Sequence, residues 1–217
     1  DYVIVGGTGA DTFNIGSEFY TTADTFDGVS GTDKVNITGN TALTDASFST
    51  NSFNNTDEVT FANTTTGVAW TTDADGDIDG AFKFDAESLT TGVLNVSFAN
   101  EAGSAVTVIG GGGADTIVGG GQADTLLGNA GDDVFTGGAG ADTITTGIGS
   151  DILHLSAADI VTDFTHANGG DIIDVSTIGN TALGALVTQV ADASTGAVAH
   201  ADNTVLFLSS ATNAAYD

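Results

Sequence analysis

The sequence predicts an all-β protein wound as a parallel β-solenoid, and three observations carry that expectation. An aspartate recurs every nine residues, at Asp115, Asp124, Asp133, Asp142 and Asp151, each in a glycine-rich setting. A large apolar residue keeps phase two positions later, at Ile117, Leu126, Phe135, Ile144 and Leu153. Elsewhere, short runs alternate apolar and polar residues with the period of two that marks a half-buried strand. Val35/Ile37, Val59/Phe61, Phe82/Phe84 and Leu94/Val96/Phe98 are the clearest of these.

The expected strands outside the array are Tyr2–Val5, Lys34–Thr38, Glu58–Ala62, Gly67–Trp70, Ala81–Phe84, Leu94–Phe98 and Ala105–Ile109. Val205–Leu208 reads as a late buried strand, and only Leu183–Val190 offers a modest helical pattern. The chain contains 31 glycines and no proline, so its turns must be glycine turns. Three segments follow from the change of pattern: an irregular β-solenoid over residues 1–108, the tight array over 109–154, and a closing β segment over 155–217.

Composition narrows the function. The chain has 217 residues, 2 basic and 29 acidic side chains, and a formal charge of -27. Phosphate binding needs lysine and arginine, so nucleic acid is excluded as a partner. An anionic membrane surface would repel the chain, and no apolar run approaches the roughly 20 residues needed to span a bilayer. The natural partner of so much carboxylate is a cation. With 41% hydrophobic residues and interspersed acids, the chain reads as folded rather than as an acidic disordered tail. No cysteine is present, so disulfides and thiolate zinc sites are excluded. Methionine is absent even at position 1, as expected of an internal or processed fragment.

Aligned in nines, the array reads GGGGADTIV, GGGQADTLL, GNAGDDVFT, GGAGADTIT, TGIGSDILH. Position 6 is always Asp, position 8 is always Ile, Leu or Phe, and positions 1, 2 and 4 are mostly Gly. The departures are Gln122 at position 4, Asn129 at position 2 and Thr146 at position 1. A six-residue turn that wraps a cation needs close carbonyl approach and positive φ, both of which glycine allows. Calcium takes six to eight oxygens at about 2.3–2.6 Å from carboxylates and carbonyls alike. One turn supplies about half such a shell, and a turn stacked on it supplies the rest. The x-U-x triplet then forms a short strand with one apolar side chain inward. Two nonapeptides close one coil, which stacks Asp115 over Asp133 over Asp151 on one edge, and Asp124 over Asp142 on the other.

The metal-binding positions expected in the array are therefore the five aspartates with Gly110, Gly111, Gly113, Gly119, Gly120, Gly128, Gly131, Gly137, Gly138, Gly140, Gly147 and Gly149. One bulky residue per nine is too thin a core to offset chain entropy, so metal binding and folding should be one event. A flexible linker would not hold its apolar residues in phase with its aspartates. A phosphate loop would need G-x-x-x-x-G-K-[ST], whereas the only lysines are Lys34 and Lys83.

The pattern G-G-x-G-x-D-x-U-x resembles that of the RTX family of secreted bacterial proteins. The resemblance implies a calcium-binding β-roll, several Ca2+ ions, and export by a type I exporter. The chain would cross unfolded and fold on meeting calcium outside the cell.

Looser copies lie upstream. Gly6–Asn14, "GGTGADTFN", is a full match, with Gly6, Gly7, Gly9 and Asp11 as ligand positions. "GVSGTDKVN" (28–36) keeps Gly31 and Asp33, and "SFNNTDEVT" (52–60) keeps only Asp57 and Val59. Asp11, Asp33 and Asp57 stand 22 and 24 apart, so these coils should be larger than 18 residues.

"DADGDIDG" (73–80) offers Asp75 and Asp77 as further ligands, but it is not an EF-hand. Ile78 stands at the loop's glycine and Phe84 at its twelfth-residue acid. The stretch is either an extra calcium turn or a solvated acidic loop. Downstream, "DIVTDFTHANGGDIIDVS" (159–176) resembles the segment closing the roll in serralysin-type C-terminal domains. Asp163, Phe164, Asp171, Asp174 and Ser176 carry that likeness, and Asp171 after Gly169 and Gly170 is the ligand it suggests.

No catalytic constellation is legible. His154, His166 and His200 form no H-E-x-x-H, and no G-x-S-x-G elbow occurs. His154, at position 9 of a repeat, reads as a surface residue.

The leading functional expectation is a non-enzymatic, extracellular structural protein of a bacterial surface layer. Its copies would be bridged by calcium at the cell surface. The alternatives are the calcium-dependent folding and secretion module of an exported protease or lipase, or part of an RTX adhesin or toxin.

Overall fold

A computed structural model describes residues 3–17, 24–39, 42–43, 53–61, 67–72, 80–156, 158–165 and 170–174. Asp75 and Asp77, the Leu183–Val190 and Val205–Leu208 elements, and His166, Gly169, Ser176 and His200 lie outside the described residues.

The described residues are all-β. Seventeen short strands follow in chain order: β1 (Val3–Val5), β2 (Thr12–Gly16), β3 (Thr25–Asp27), β4 (Lys34–Thr38), β5 (Phe53–Asn54), β6 (Glu58–Phe61), β7 (Gly67–Thr71), β8 (Phe82–Asp85), β9 (Val93–Ser97), β10 (Val106–Ile109), β11 (Thr116–Val118), β12 (Thr125–Leu127), β13 (Val134–Thr136), β14 (Thr143–Thr145), β15 (Ile152–His154), β16 (Ile160–Val161) and β17 (Ile172–Ile173). All seven strands expected outside the array are present, within one residue at each end.

Even-numbered strands form one eight-stranded sheet, β16-β14-β12-β10-β8-β6-β4-β2. Odd-numbered strands form the opposite face as two sheets, β1-β3-β5 and β17-β15-β13-β11-β9-β7. Every strand pairing among the described residues is parallel. The chain therefore winds as a two-faced parallel β-solenoid, as the sequence predicts.

Coil size changes along the axis. On the even face, Thr12 pairs with Lys34, Lys34 with Glu58, Glu58 with Lys83 and Lys83 with Thr107, steps of 22 to 25 residues. Thr107 then pairs with Thr125 and Thr125 with Thr143, steps of 18. The same spacing joins Thr116 to Val134 and Val134 to Ile152 on the odd face.

The interior changes with coil size. In β4, β6, β7, β8 and β9 alternate residues bury two side chains per strand. In β11 to β15 only the middle residue of three is buried. Those residues are Ile117, Leu126, Phe135, Ile144 and Leu153, all fully inaccessible. The larger coils hold an aromatic stack instead. Phe13 meets Phe26 (ring centroids 5.7 Å apart), Phe26 meets Phe53, and Phe53 meets Trp70 at 5.6 Å. Trp70 then packs on Phe84 at 5.8 Å and on Phe98 at 5.5 Å.

Candidate metal centre

The turns entering the strands are organised by aspartate side chains. On the odd edge, Asp133 Oδ1 accepts the backbone N–H of Asp115, and Asp151 Oδ1 accepts that of Asp133, both at 2.8 Å. On the even edge, Asp142 Oδ1 accepts the N–H of Asp124 at 2.9 Å. Each position-6 carboxylate thus caps the donor of its counterpart one coil back. The stacking expected from the sequence is present as two continuous ladders. The upstream copies share the arrangement, with Asp33 Oδ1 accepting from Asp11 N–H and Asp57 Oδ2 from Asp33 N–H.

Strand register shows where each ladder stops. Thr107 pairs with Thr125 and Lys83 with Thr107, so Val106 and Phe82 occupy the even-edge place that Asp124 fills below them. On the odd edge, Leu94 stands above Asp115, and Val68 above Leu94. All four apolar residues are buried. One lattice position thus carries buried carboxylate in the small coils and buried hydrocarbon in the middle coils.

The second carboxylate oxygens fall into two classes. Asp11, Asp115 and Asp124 use Oδ2 to accept the N–H at position 2 of their own turn, from Gly7, Gly111 and Gly120, at 2.6–2.7 Å. Oδ2 of Asp33, Asp133, Asp142 and Asp151 is buried and has no hydrogen-bond partner. In those four turns position 2 is Val29, Asn129, Gly138 or Gly147, with φ between 71° and 100°. The left-handed residue swings its N–H away from the carboxylate. A buried polar atom without a partner costs about 1–3 kcal/mol, so four of them point to a missing counter-charge.

The glycines leave room beside these oxygens. A Cβ on Gly110 would lie 2.6 Å from Asp115 Oδ2 and 2.7 Å from Gly128 O. A Cβ on Gly128 would collide with Asp133 Oδ2 and Thr146 O, and one on Gly119 with Asp124 Oδ2 and Gly137 O. At position 1, therefore, a carboxylate oxygen and a carbonyl of the next coil converge on space that a side chain would fill. Gly6 and Gly28 are placed likewise against Asp11 and Asp33. Position 4 has another reason for glycine: a Cβ on Gly131 would strike Gly113 O, one on Gly140 would strike Gln122 O, and one on Gly149 would strike Gly131 O. Gly31 sits in the same way on Gly9.

Each departure from the repeat has a local cause. Gln122 lies below the longer 98–104 connection and donates Nε2–H to Ala102 O at 2.7 Å. Asn129 adopts φ 71° and donates Nδ2–H to Gly110 O at 2.8 Å, a backbone state that asparagine tolerates best after glycine. Thr146 brings a side chain to position 1, and its Oγ1–H reaches Asp163 Oδ1 at 3.0 Å and Asp171 Oδ2 at 3.4 Å.

Electrostatics agree with the orphan oxygens. Burial pushes the Asp133 carboxyl up to about 7, and the Asp115, Asp151 and Asp132 carboxylates add to the shift. Burial likewise raises Asp142, with Asp159 and Asp124 contributing, and Asp151, with Asp171 contributing. Asp115 and Asp124 are also raised by burial, opposed by the backbone N–H groups they accept. Among the described residues no group of three or more His, Cys, Asp or Glu side chains forms a metal cage, so a bound cation would take much of its shell from backbone carbonyls. An all-oxygen set of carboxylates and carbonyls fits calcium and suits neither zinc nor copper.

Asp171, the ligand that the closing segment suggests, lies on the odd ladder, where its Oδ1 accepts Asp151 N–H at 3.2 Å. Sequence reasoning passed over Asp159, which extends the even ladder by accepting Asp142 N–H at 3.2 Å. The 17-residue step from Asp142 was the available signal, hidden because "SAADIV" lacks glycine. His154 is half-buried rather than a surface residue, with Nδ1 3.7 Å from Asp174 Oδ2.

A parallel solenoid whose turns aim buried carboxylates at backbone carbonyls defines a calcium β-roll. Residues 104–126 and 119–153 match the family model described as RTX calcium-binding nonapeptide repeat (4 copies), together under a quarter of the chain. The chain carries an RTX calcium-binding nonapeptide array, a repeat that binds Ca2+. Comparison with curated proteins and with solved structures gives no match.

Proposed function

We propose that this chain is a non-catalytic, extracellular structural segment of a bacterial surface layer that folds and assembles on binding calcium. RTX repeats are typical of proteins exported by type I secretion, which supports an extracellular site. The ions sit between stacked turns, held by Asp115, Asp124, Asp133, Asp142 and Asp151 with the carbonyls of the array's glycine turns. Gly6–Asp11 and Gly28–Asp33 form the upstream site. Calcium supplies the positive charge and oxygen-rich coordination that these turns lack by themselves.

The observation that carries the reading is the set of four buried Oδ2 atoms without partners, on Asp33, Asp133, Asp142 and Asp151. Far from calcium, 29 carboxylates repel one another and hold the chain open for export. In millimolar calcium the same groups become ligands. Between copies, cations on the acidic surface join subunits that would otherwise repel, so the partners are the exporter and further copies of this chain.

Chelation should collapse the β circular-dichroism signal of the array and calcium should restore it; a spectrum indifferent to both would refute the coupling. Electron microscopy of full-length protein in calcium should show two-dimensional sheets. Monodisperse particles would instead favour a second reading, the folding and secretion module of an exported enzyme, which the Asp159–Asp174 closing segment supports.

A further inference from the structure

We infer that the outer face of the β7-β9-β11-β13-β15-β17 sheet is a contact surface for the same face of a second copy of this chain. The inference rests on the assembly reading above and adds to it a direct contact between copies, made without an ion.

The formal charge of -27 is spread unevenly over the solenoid. Strand register places Ala69, Asn95, Thr116, Val134, Ile152 and Ile172 in one outward column. The column beside it runs from Thr71 through Ser97, Val118 and Thr136 to His154. Among the described residues, neither column contains a carboxylate, a lysine or an arginine. Asp115, Asp133 and Asp151 are buried at the strand entries, Asp132 lies in a turn, and Asp174 stands at the rim beside His154. Negative charge in these coils therefore gathers along the edges and leaves the sheet face neutral.

The opposite face differs. There Glu58 pairs with Lys34 at 3.3 Å and with Lys83 at 2.9 Å, and Lys83 also reaches Asp85 at 2.8 Å. Docking on that face would strip water from these pairs at a cost. The uncharged face offers hydrocarbon instead. Val93 in β9 is 49% exposed and Ile172 in β17 is 55% exposed, with Val118, Val134 and Ile152 partly exposed between them.

Two strongly acidic chains approach most easily where neither carries charge. An anionic partner would find no cation on this face. A second copy related by a two-fold axis would set hydrocarbon on hydrocarbon, as packed sheets do about 10 Å apart. Six strands about 4.8 Å apart, each about 10 Å long, give a face of roughly 300 Å². A stable pairwise interface takes about 800 Å² per partner. One such contact is therefore weak, and it gains strength only where many copies are held side by side.

Sedimentation velocity of the full chain in CaCl2, over a range of protein concentrations, tests the contact. Val134→Glu places a charge at repeat position 7 on this face, and Thr125→Glu places one at the same repeat position on the opposite face. Both variants should keep the calcium-loaded β spectrum. Val134→Glu should weaken self-association at least about tenfold, while Thr125→Glu stays close to the parent. Equal effects of the two variants, or none from Val134→Glu, would overturn the inference and leave ion-bridged assembly standing. A parent chain that stays monomeric in calcium at every concentration would remove the assembly reading as well. Should Val134→Glu fail to fold, single cysteines in this cysteine-free chain decide. Oxidation in calcium should link copies through at least one of Asn95→Cys, Thr116→Cys and Val134→Cys, and not through Thr125→Cys. Linkage no better than that of Thr125→Cys would overturn the inference.

Discussion

The coils built around Trp70 and those built around Asp133 occupy the same solenoid yet are held together by different forces. In the first, Phe53, Trp70, Phe84 and Phe98 interlock, and Phe82, Val106, Val68 and Leu94 fill the strand-entry positions. Each aromatic pair adds about 0.5–1.5 kcal/mol beyond its buried area. In the second, every strand contributes one buried side chain, worth about 1.5–3 kcal/mol, and the strand-entry positions carry aspartate. Each ordered residue meanwhile loses about 1–2 kcal/mol of backbone entropy. The aromatic coils rest on apolar burial, whereas on the proposed function the aspartate coils are completed by a cation. A solenoid can thus change its source of stability from one coil to the next without changing its register.

Removing calcium should separate the two regions most. Amides of β11 to β15 should lose hydrogen-exchange protection on chelation, while those of β6 to β9 keep most of theirs. Trp70, 3% exposed, reports the aromatic coils alone, so its emission should stay blue as the β signal of the array falls. Simultaneous loss of both signals would mean that the regions form one cooperative unit. Next in size, Phe84→Ala should cost about 3–5 kcal/mol in urea unfolding, with little change in the calcium midpoint.

The reverse pattern is expected of Asp133→Asn. The amide oxygen still accepts Asp115 N–H, and the buried charge is gone. The ion-free array should gain about 1–3 kcal/mol while the calcium affinity of that turn falls. Loss of ion-free stability would show that the carboxylate is not a burden.

A pH titration probes the same groups together. Folded, ion-free Asp133 titrates at about 7 against 3.8 unfolded, so the folded array holds extra protons between those values. Its ion-free stability should therefore be greatest near pH 4, fall as pH rises to about 7, and level off above. Protons compete with calcium there, so the calcium midpoint should rise as pH falls from 7 towards 5. The smallest effect is expected at Val29, a β-branched residue at φ 72° in the upstream turn. Val29→Gly should raise the thermal midpoint by relieving about 1 kcal/mol of strain.

Much of this was legible in order of appearance. The nine-residue spacing of Asp115 to Asp151 sets the coil, because a β-strand of three residues and a six-residue glycine turn leave few other ways to stack. The upstream steps of 22 and 24 likewise marked the larger coils. Asp159 was not legible, since its place depends on where Ser156 turns the chain and not on a motif. Nor was the replacement of aspartate by Phe82, Val106, Val68 and Leu94, since coil lengths of 24 and 26 residues hide which residues share a column.

The sequence alone determined the winding, the inward apolar positions and the repeating aspartates, because periodicity is a local property that survives without coordinates. Only the tertiary structure decided which carboxylate oxygens are left without a partner. That outcome depends on whether the position-2 residue of each turn takes a left-handed φ, and so on how each turn rests against the coils beside it. The same stacking gave Asp159 its place beside Asp142, a contact between coils that no spacing rule contains.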